Sequence, residues 1–227
     1  VTILSVTGND TDGMLLSELF DSNNIDTAYL VKSNTRKTTS KTRIISRNQQ
    51  MMRLDDEMTA PLSREDESKL LEQVRNYIAK EDPDIIIFED YNKGVLTEKL
   101  IQEVIDLCKK AGVLTAVDPK RKNFFSYRHV DIFKPNMKEV KEALNLLADQ
   151  ISLSLLENIH GELQQQLHHQ VSLITLSEKG VFYQQDGKAA IITSHLRNIA
   201  DVSGAGDTVI AVAALLFAAT KNAHLMA

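Results

Sequence analysis

Near the carboxyl end of the chain, the run DVSGAGDT (residues 201 to 208) sets small residues and an acid directly before the apolar stretch VIAVAALLF. Small residues at a helix start let backbone N–H groups approach an anion, and the helix dipole favours negative charge there. That arrangement suits a phosphoryl group in transfer. A carboxylate beside such a group can accept the proton of an attacking hydroxyl. Asp207 is therefore the candidate base, and Gly204, Ala205 and Gly206 supply the amides facing the developing charge. Taken alone, the run equally describes an ordinary helix start, where acids are favoured and glycines turn the chain.

Two further acids stand where ligands gather in open parallel sheets. Asp90 follows DIIIFE and Asp118 closes VLTAVD, both at the carboxyl ends of strand-like runs. Each could face a sugar or a metal, or simply cap the loop that follows.

The elements that must position these groups alternate along the chain. VTILSV, TAYLV, DIIIF, VLTAV, VDIFK and VSLITL read as strands, and helices are expected over 64 to 80, 97 to 111, 136 to 147, 152 to 169 and 204 to 221. This alternation implies an α/β fold, a mainly parallel sheet covered by helices on both faces. Residues 35 to 55, rich in Thr, Arg and Ile, read instead as exposed strands of a small flap or β lid. Residues 181 to 194 read as an antiparallel hairpin turning at Asp186-Gly187. No internal repeat or long linker marks a second domain, so residues 1 to 227 are expected to form one domain with the flap beside it.

Composition narrows the function classes. With 227 residues, 43% of them hydrophobic, the chain can bury a sizeable core, and a formal charge of -5 gives no general attraction for nucleic acid or anionic lipid. The closing apolar helix runs for about a dozen residues, short of the ~20 a membrane span needs, and reads as a buried helix. No basic leader precedes the opening VTILSV, so no signal peptide is expected. The single Cys108 sits at helical spacing among apolar residues, a packed thiol suited to a reducing, cytoplasmic compartment. His168 and His169 read as a surface helix end rather than a metal site.

The pattern D-x-x-G-A-G-D at Asp201 to Asp207 resembles the C-terminal signature of the ribokinase-like, or PfkB, carbohydrate kinases. KPNMKE resembles that family's N-x-x-E motif at Asn136 and Glu139, and Leu176 to Gly180 resembles its nucleotide-contacting turn, with Ser177 and Gly180 the nearest equivalents. Residues three apart on a helix share a face, so Asn136 and Glu139 could reach one magnesium-phosphate site, directly or through water. The same spacing also makes a capping box, and SEKG also makes a plain strand-end turn. RNQQMMRLDDE, EDYNKGVL and DPKRKNFFSYR are most similar to the D-glycero-beta-D-manno-heptose 7-phosphate kinases, the kinase half of a bifunctional kinase and adenylyltransferase.

The resemblance implies a ribokinase-like three-layer sandwich and an ATP- and Mg2+-dependent transfer to the C1 hydroxyl of heptose 7-phosphate, within the making of ADP-heptose for lipopolysaccharide. Such a substrate calls for cations, for which Arg47, Arg53, Lys93 and Lys120 are the candidates beside Asp90 and Asp118. The family's N-terminal strand with its Gly-Asp pair, its glycine-rich sugar loop and its C-terminal nucleotide segment find no counterpart, so an incomplete domain is expected. A homodimer through the flap edges is a further expectation. A PfkB kinase for another sugar, or a non-catalytic nucleotide- or sugar-binding relative, are the alternative readings.

Overall fold

The computed structural model describes residues 1–47, 49–147, 150–194 and 204–227, folded as two units: 1–81 with 92–100, and 82–91 with 101–227.

In the first unit, strand β1 (Val6–Gly8), helix α1 (Thr11–Ser22) and strand β2 (Val31–Ser33) form a right-sized crossover between two parallel strands. Asp10 starts α1: its backbone is extended and its Oδ1 accepts from Gly13 N at 2.8 Å. Its Oδ2 accepts from Thr38 N at 2.8 Å, which ties the chain after β2 to the same cap. Strands β3 (Ser40–Ser46) and β4 (Gln49–Asp56) then pair antiparallel, and helix α2 (Arg64–Glu81) packs Leu70 and Val74 inward. β3 and β4 bury neither face, leaving Ile44, Ile45, Met51, Met52 and Leu54 exposed. The Arg36 guanidinium donates to the carbonyls of Met58, Ala60 and Lys93, so one buried-stemmed cation gathers three turns of chain.

The second unit is built on a six-stranded sheet. Its strands are β5 (Ile85–Glu89), β6 (Leu114–Asp118), β7 (Ile132–Phe133), β8 (Val171–Thr175), β9 (Val181–Gln185) and β10 (Lys188–Ile192), in the spatial order β10-β9-β8-β7-β6-β5. β5 to β8 are parallel, while β9 and β10 return antiparallel through the Asp186-Gly187 turn. Both turn residues have positive φ, 49° and 76°, the geometry whose twist matches a two-residue hairpin.

Helices α3 (Glu98–Ala111, from residue 101 on), α4 (Met137–Leu144), α5 (Leu153–Leu167), α6 (Ala205–Thr220) and α7 (Ala223–Met226) complete the unit. Alternation along the strands sorts the layers. Ala116, Val171 and Leu173 pack on Ile210, Ala213, Ala214 and Phe217 of α6 and on Met226 of α7. Ser172, on the opposite face of β8, bonds His160 of α5. Helices therefore lie on both faces of a mainly parallel sheet, as the alternation of runs requires.

Three details differ from the sequence reading. Within VTILSV and TAYLV, ladder pairing begins only at Val6 and Val31, with Thr2 and Asp26 making an isolated bridge before it. Helix α6 is not buried all round: it docks one stripe, and Val209, Val212 and Leu215 remain 37%, 50% and 69% exposed. Its apolar residues encircle the helix, whereas the buried ones pack on the sheet and on α7. His169 is buried at 2% exposure rather than on the surface, because His168 ends α5 in a left-handed conformation that swings the next residue inward.

Candidate functional site

Helix α6 starts where the sequence places chemistry. Gly204 is its N-cap in a left-handed conformation (φ 74°), one that side-chain-bearing residues rarely adopt. No side chain caps the helix among the described residues, and its first-turn N–H groups have no intrahelical acceptors. Asp207 sits inside this first turn. A methyl group on Gly206 would lie 3.4 Å from Asp118 Oδ2 and 3.5 Å from Lys134 Nζ, ordinary contact distances that place the turn beside this charged pair. Asp201 falls outside the described residues.

The sheet delivers the rest. Asp118 at the end of β6 pairs with Lys134 Nζ at 2.9 Å, and both side chains are under a tenth exposed. Lys120 bridges Asp118 Oδ1 at 3.2 Å and Glu139 Oε1 at 2.7 Å. Burial works against the Lys120 charge, but the bonds to Glu139 and Asp118 outweigh it and leave its pKa raised. Lys120 is thus firmly cationic.

Glu89 at the end of β5, Asp118 and Asp207 each bring a carboxylate oxygen within 4.8 Å of the others. Glu89 keeps a water-facing edge, yet its carboxyl is pushed up to about 7, first by desolvation and then by the Asp118 and Asp207 charges, against the pull of Lys134 and Lys120. The Tyr91 hydroxyl donates to both oxygens of Asp207, at 2.9 and 2.8 Å. Desolvation first, then the bond and charge of Asp207, push that phenol up to about 12, so it stays a donor.

Asn136 and Glu139 form both arms of a capping box on α4: Asn136 Oδ1 accepts from Glu139 N at 2.9 Å, and Glu139 Oε2 from Asn136 N at 2.8 Å. The cap engages Asn136 Oδ1, while Glu139 still presents its other oxygen to Lys120. Ser177 and Gly180 bound a single 3₁₀ turn after β8, and Thr175 N bonds Pro135 O at 3.1 Å, which sets this turn beside KPN. Gly180 has φ 99°, and a Cβ there would meet Ile192 O at 1.9 Å.

Asp90 faces inward, 2% exposed, where its Oδ2 accepts from Tyr127 at 2.7 Å and Asn123 at 3.0 Å. The structure therefore gathers Gly206, Asp207, Asp118, Lys120 and Glu139 into one cluster, and gives Asp90 a bonding role in the wall beneath it. Arg47, Arg53 and Lys93 belong to the first unit, where Arg47 stands at the β3–β4 turn with φ 48°. Arg53 pairs with Asp55 at 2.9 Å and Lys93 with Glu57 at 2.6 Å.

Glu89, Tyr91 and Lys134 were not among the residues singled out from sequence. Lys134 carried a readable signal, a lysine directly after the apolar run of a buried strand, since such a cation is retained only with a partner.

The oxygen-only donors suit a hard divalent cation such as magnesium rather than a transition metal. Among the described residues, Glu89, Asp118 and Asp207 are the carboxylates whose oxygens come close enough together to share one.

The pfkB family carbohydrate kinase model matches residues 1–225. Among curated proteins, the bifunctional protein HldE of Helicobacter pylori strain J99 is 36% identical over 222 residues, 98% of this chain and 47% of that protein. That of Aliarcobacter butzleri is 38% identical over 93% of this chain and 43% of its own length. The chain thus spans about half the length of the curated relatives it matches. Phosphofructokinase-2 from Escherichia coli in complex with potassium superposes with a TM-score of 0.80 at 17% identity, over 99% of this chain and 71% of that one. Arabidopsis thaliana ribokinase complexed with ribose and ATP gives 0.73 at 19% identity, over 99% and 71%. With a family model spanning nearly every residue and a ribokinase-like fold to match, this chain belongs to the pfkB family of carbohydrate kinases.

Proposed function

We propose that this chain carries the phosphoryl-transfer site of an ATP-dependent sugar kinase, and that its acceptor is the C1 hydroxyl of D-glycero-D-manno-heptose 7-phosphate. The observation that carries the reading is the placement of Asp207 inside the first turn of α6, next to uncapped amides and the Asp118–Lys134 pair. The heptose assignment rests on the segments RNQQMMRLDDE, EDYNKGVL and DPKRKNFFSYR.

In this reading the acceptor hydroxyl donates its proton to Asp207 as its oxygen bonds to the γ-phosphorus and ADP departs. Backbone N–H groups of residues 204 to 206 and the buried Lys134 ammonium stabilise the charge that develops on the transferring group. Ser177 and Gly180, on the turn beside KPN, face the nucleotide phosphates. A magnesium ion held by Glu89 and Asp118, with Glu139 acting through water, would offset phosphate charge and fix its orientation. Lys120 bridges Asp118 and Glu139 and offsets the repulsion between them. Arg47, Arg53 and Lys93 are assigned to the sugar phosphate, and Asp90 to holding the loop that bears Tyr91.

No helix among the described residues is long and apolar enough to cross a membrane. A cytoplasmic setting, where ATP and sugar phosphates coexist, belongs to the same proposal. So does a homodimer, which the exposed apolar residues of β3 and β4 favour.

The test is a coupled ADP-release assay on the full-length protein. Turnover with heptose 7-phosphate that falls by roughly 10²-fold or more in Asp207→Asn supports the reading. Equal turnover in the variant removes Asp207 as the base.

A further inference from the structure

The Tyr91 hydroxyl lies almost equally far from the two Asp207 oxygens, 2.9 and 2.8 Å, which puts it in front of the carboxylate on its bisector. A hydroxyl that is to hand its proton to this base must come within the same hydrogen-bond reach of the same oxygens. Tyr91 therefore stands in the acceptor's place.

Its setting differs from that of a structural tyrosine. Tyr127 is wholly buried and its hydroxyl is bonded to Asp90 in the wall of the unit. Tyr91 is 53% exposed, one residue past the buried Asp90, so its ring can turn away while the strand end stays anchored. Its hydroxyl bonds instead to both oxygens of Asp207.

Resting on the kinase reading above, we propose that Tyr91 is a positioning residue that occupies the acceptor side of Asp207 while the sugar is absent, and thereby suppresses phosphoryl transfer to water. Every kinase of this chemistry faces that side reaction, because water is a smaller acceptor than any sugar. In the unguarded site a water oxygen bonds to the γ-phosphorus and the bond from that phosphorus to ADP breaks, with ADP keeping the electron pair. The water proton passes to Asp207 and on to solvent, leaving ADP and inorganic phosphate. With Tyr91 in place, no water can reach the base from the front. A sugar hydroxyl displaces the phenol because the rest of the sugar contributes binding that a water lacks.

The experiment measures ADP release by the full-length protein with magnesium and ATP, with and without heptose 7-phosphate, in wild type, Tyr91→Phe, Asp207→Asn and the double variant. Tyr91→Phe keeps the ring and removes only the hydroxyl, and thermal melts confirm that it folds. The expected result is a rise in sugar-free ADP release on the order of tenfold in Tyr91→Phe, inside the range a positioned base supplies. Sugar-dependent turnover should change by less, and the double variant should return to the level of Asp207→Asn. A sugar-free rate in Tyr91→Phe no higher than wild type overturns the guard, as does an elevated rate that survives in the double variant. The kinase reading fails through a different arm, full sugar-dependent turnover in Asp207→Asn.

Discussion

The Asp118–Lys134 pair decides how the site carries charge. Both side chains are almost completely buried, so neither charge can be left alone: the desolvation of each is offset by the other, and that of Asp118 also by Lys120. Lys134→Met should destabilise the protein by less than the ~3–5 kcal/mol that a wholly unpaired buried charge costs, because Asp118 keeps Lys120, and Asp118→Leu in the same chain should restore part of that loss. Urea unfolding of the single and double variants measures the difference. In the proposed mechanism turnover falls in both, since Lys134 faces the transferring group and Asp118 the metal.

Among the elements, α4 and the turn after β8 are fixed by local rules that can be broken one at a time. Asn136→Ala removes one arm of the α4 capping box and should cost about 1 kcal/mol, read as a lower urea midpoint at unchanged slope. Glu139→Gln keeps the reciprocal bond to Asn136 N but weakens the hold on Lys120, so it should lower turnover more than stability. Gly180→Ala should be worse than either for folding. Its φ of 99° and the 1.9 Å approach to Ile192 O leave no room for a methyl group, and the expected penalty exceeds about 1 kcal/mol. Several elements were readable from the sequence for the same local reasons. Asn136 to Glu139 announces a cap, Asp186-Gly187 announces a hairpin, and helical spacing announces α2, α3 and α5. Helix α1 was not among the helices expected from sequence, although Asp10 ahead of Met14, Leu15, Leu16 and Leu19 marks its start.

At the scale of the molecule, acid should act on the second unit through two histidines. His169 Nε2 and His160 Nδ1 both bond the buried Ser172 hydroxyl, at 2.6 and 2.9 Å, and His169 Nδ1 is buried without a partner. The least costly arrangement has His169 Nε2–H donating to Ser172 and Ser172 donating to His160, which leaves an unbonded lone pair on Nδ1 rather than an unbonded proton. Burial holds His169 down at about 3, with the His160 charge adding, and burial lowers His160 as well. These folded-state values lie below the ~6.5 of an unfolded histidine, so the neutral forms stabilise the fold fully above that pH. Stability should fall as pH drops from about 6.5 toward 3, and His169→Gln should flatten this dependence in melts recorded across that range. The flap offers a second test at this scale. Ile45→Lys with Met51→Lys should shift sedimentation from dimer to monomer if the exposed face of β3 and β4 joins two copies.

By itself the sequence determined most of the strands and helices of the second unit, where α6 begins, and which acid stands at its start, because these follow from spacing, caps and the conformational range of glycine. It also fixed the family likeness, since DVSGAGDT, KPNMKE and SEKG keep their order along the chain. Only the tertiary structure decided which of the named residues meet. Asp118 with Lys120, Glu139 and Asp207 come from three separate segments and converge because parallel strands deliver their carboxyl ends to one edge of the sheet. It alone turned Asp90 inward to Tyr127, buried His169 beneath β8, and brought Tyr91 onto Asp207 across a sequence separation of 116 residues. Side-chain direction at a strand end depends on what the neighbouring strands and loops leave open, and that is a property of the packed sheet rather than of any local run of residues.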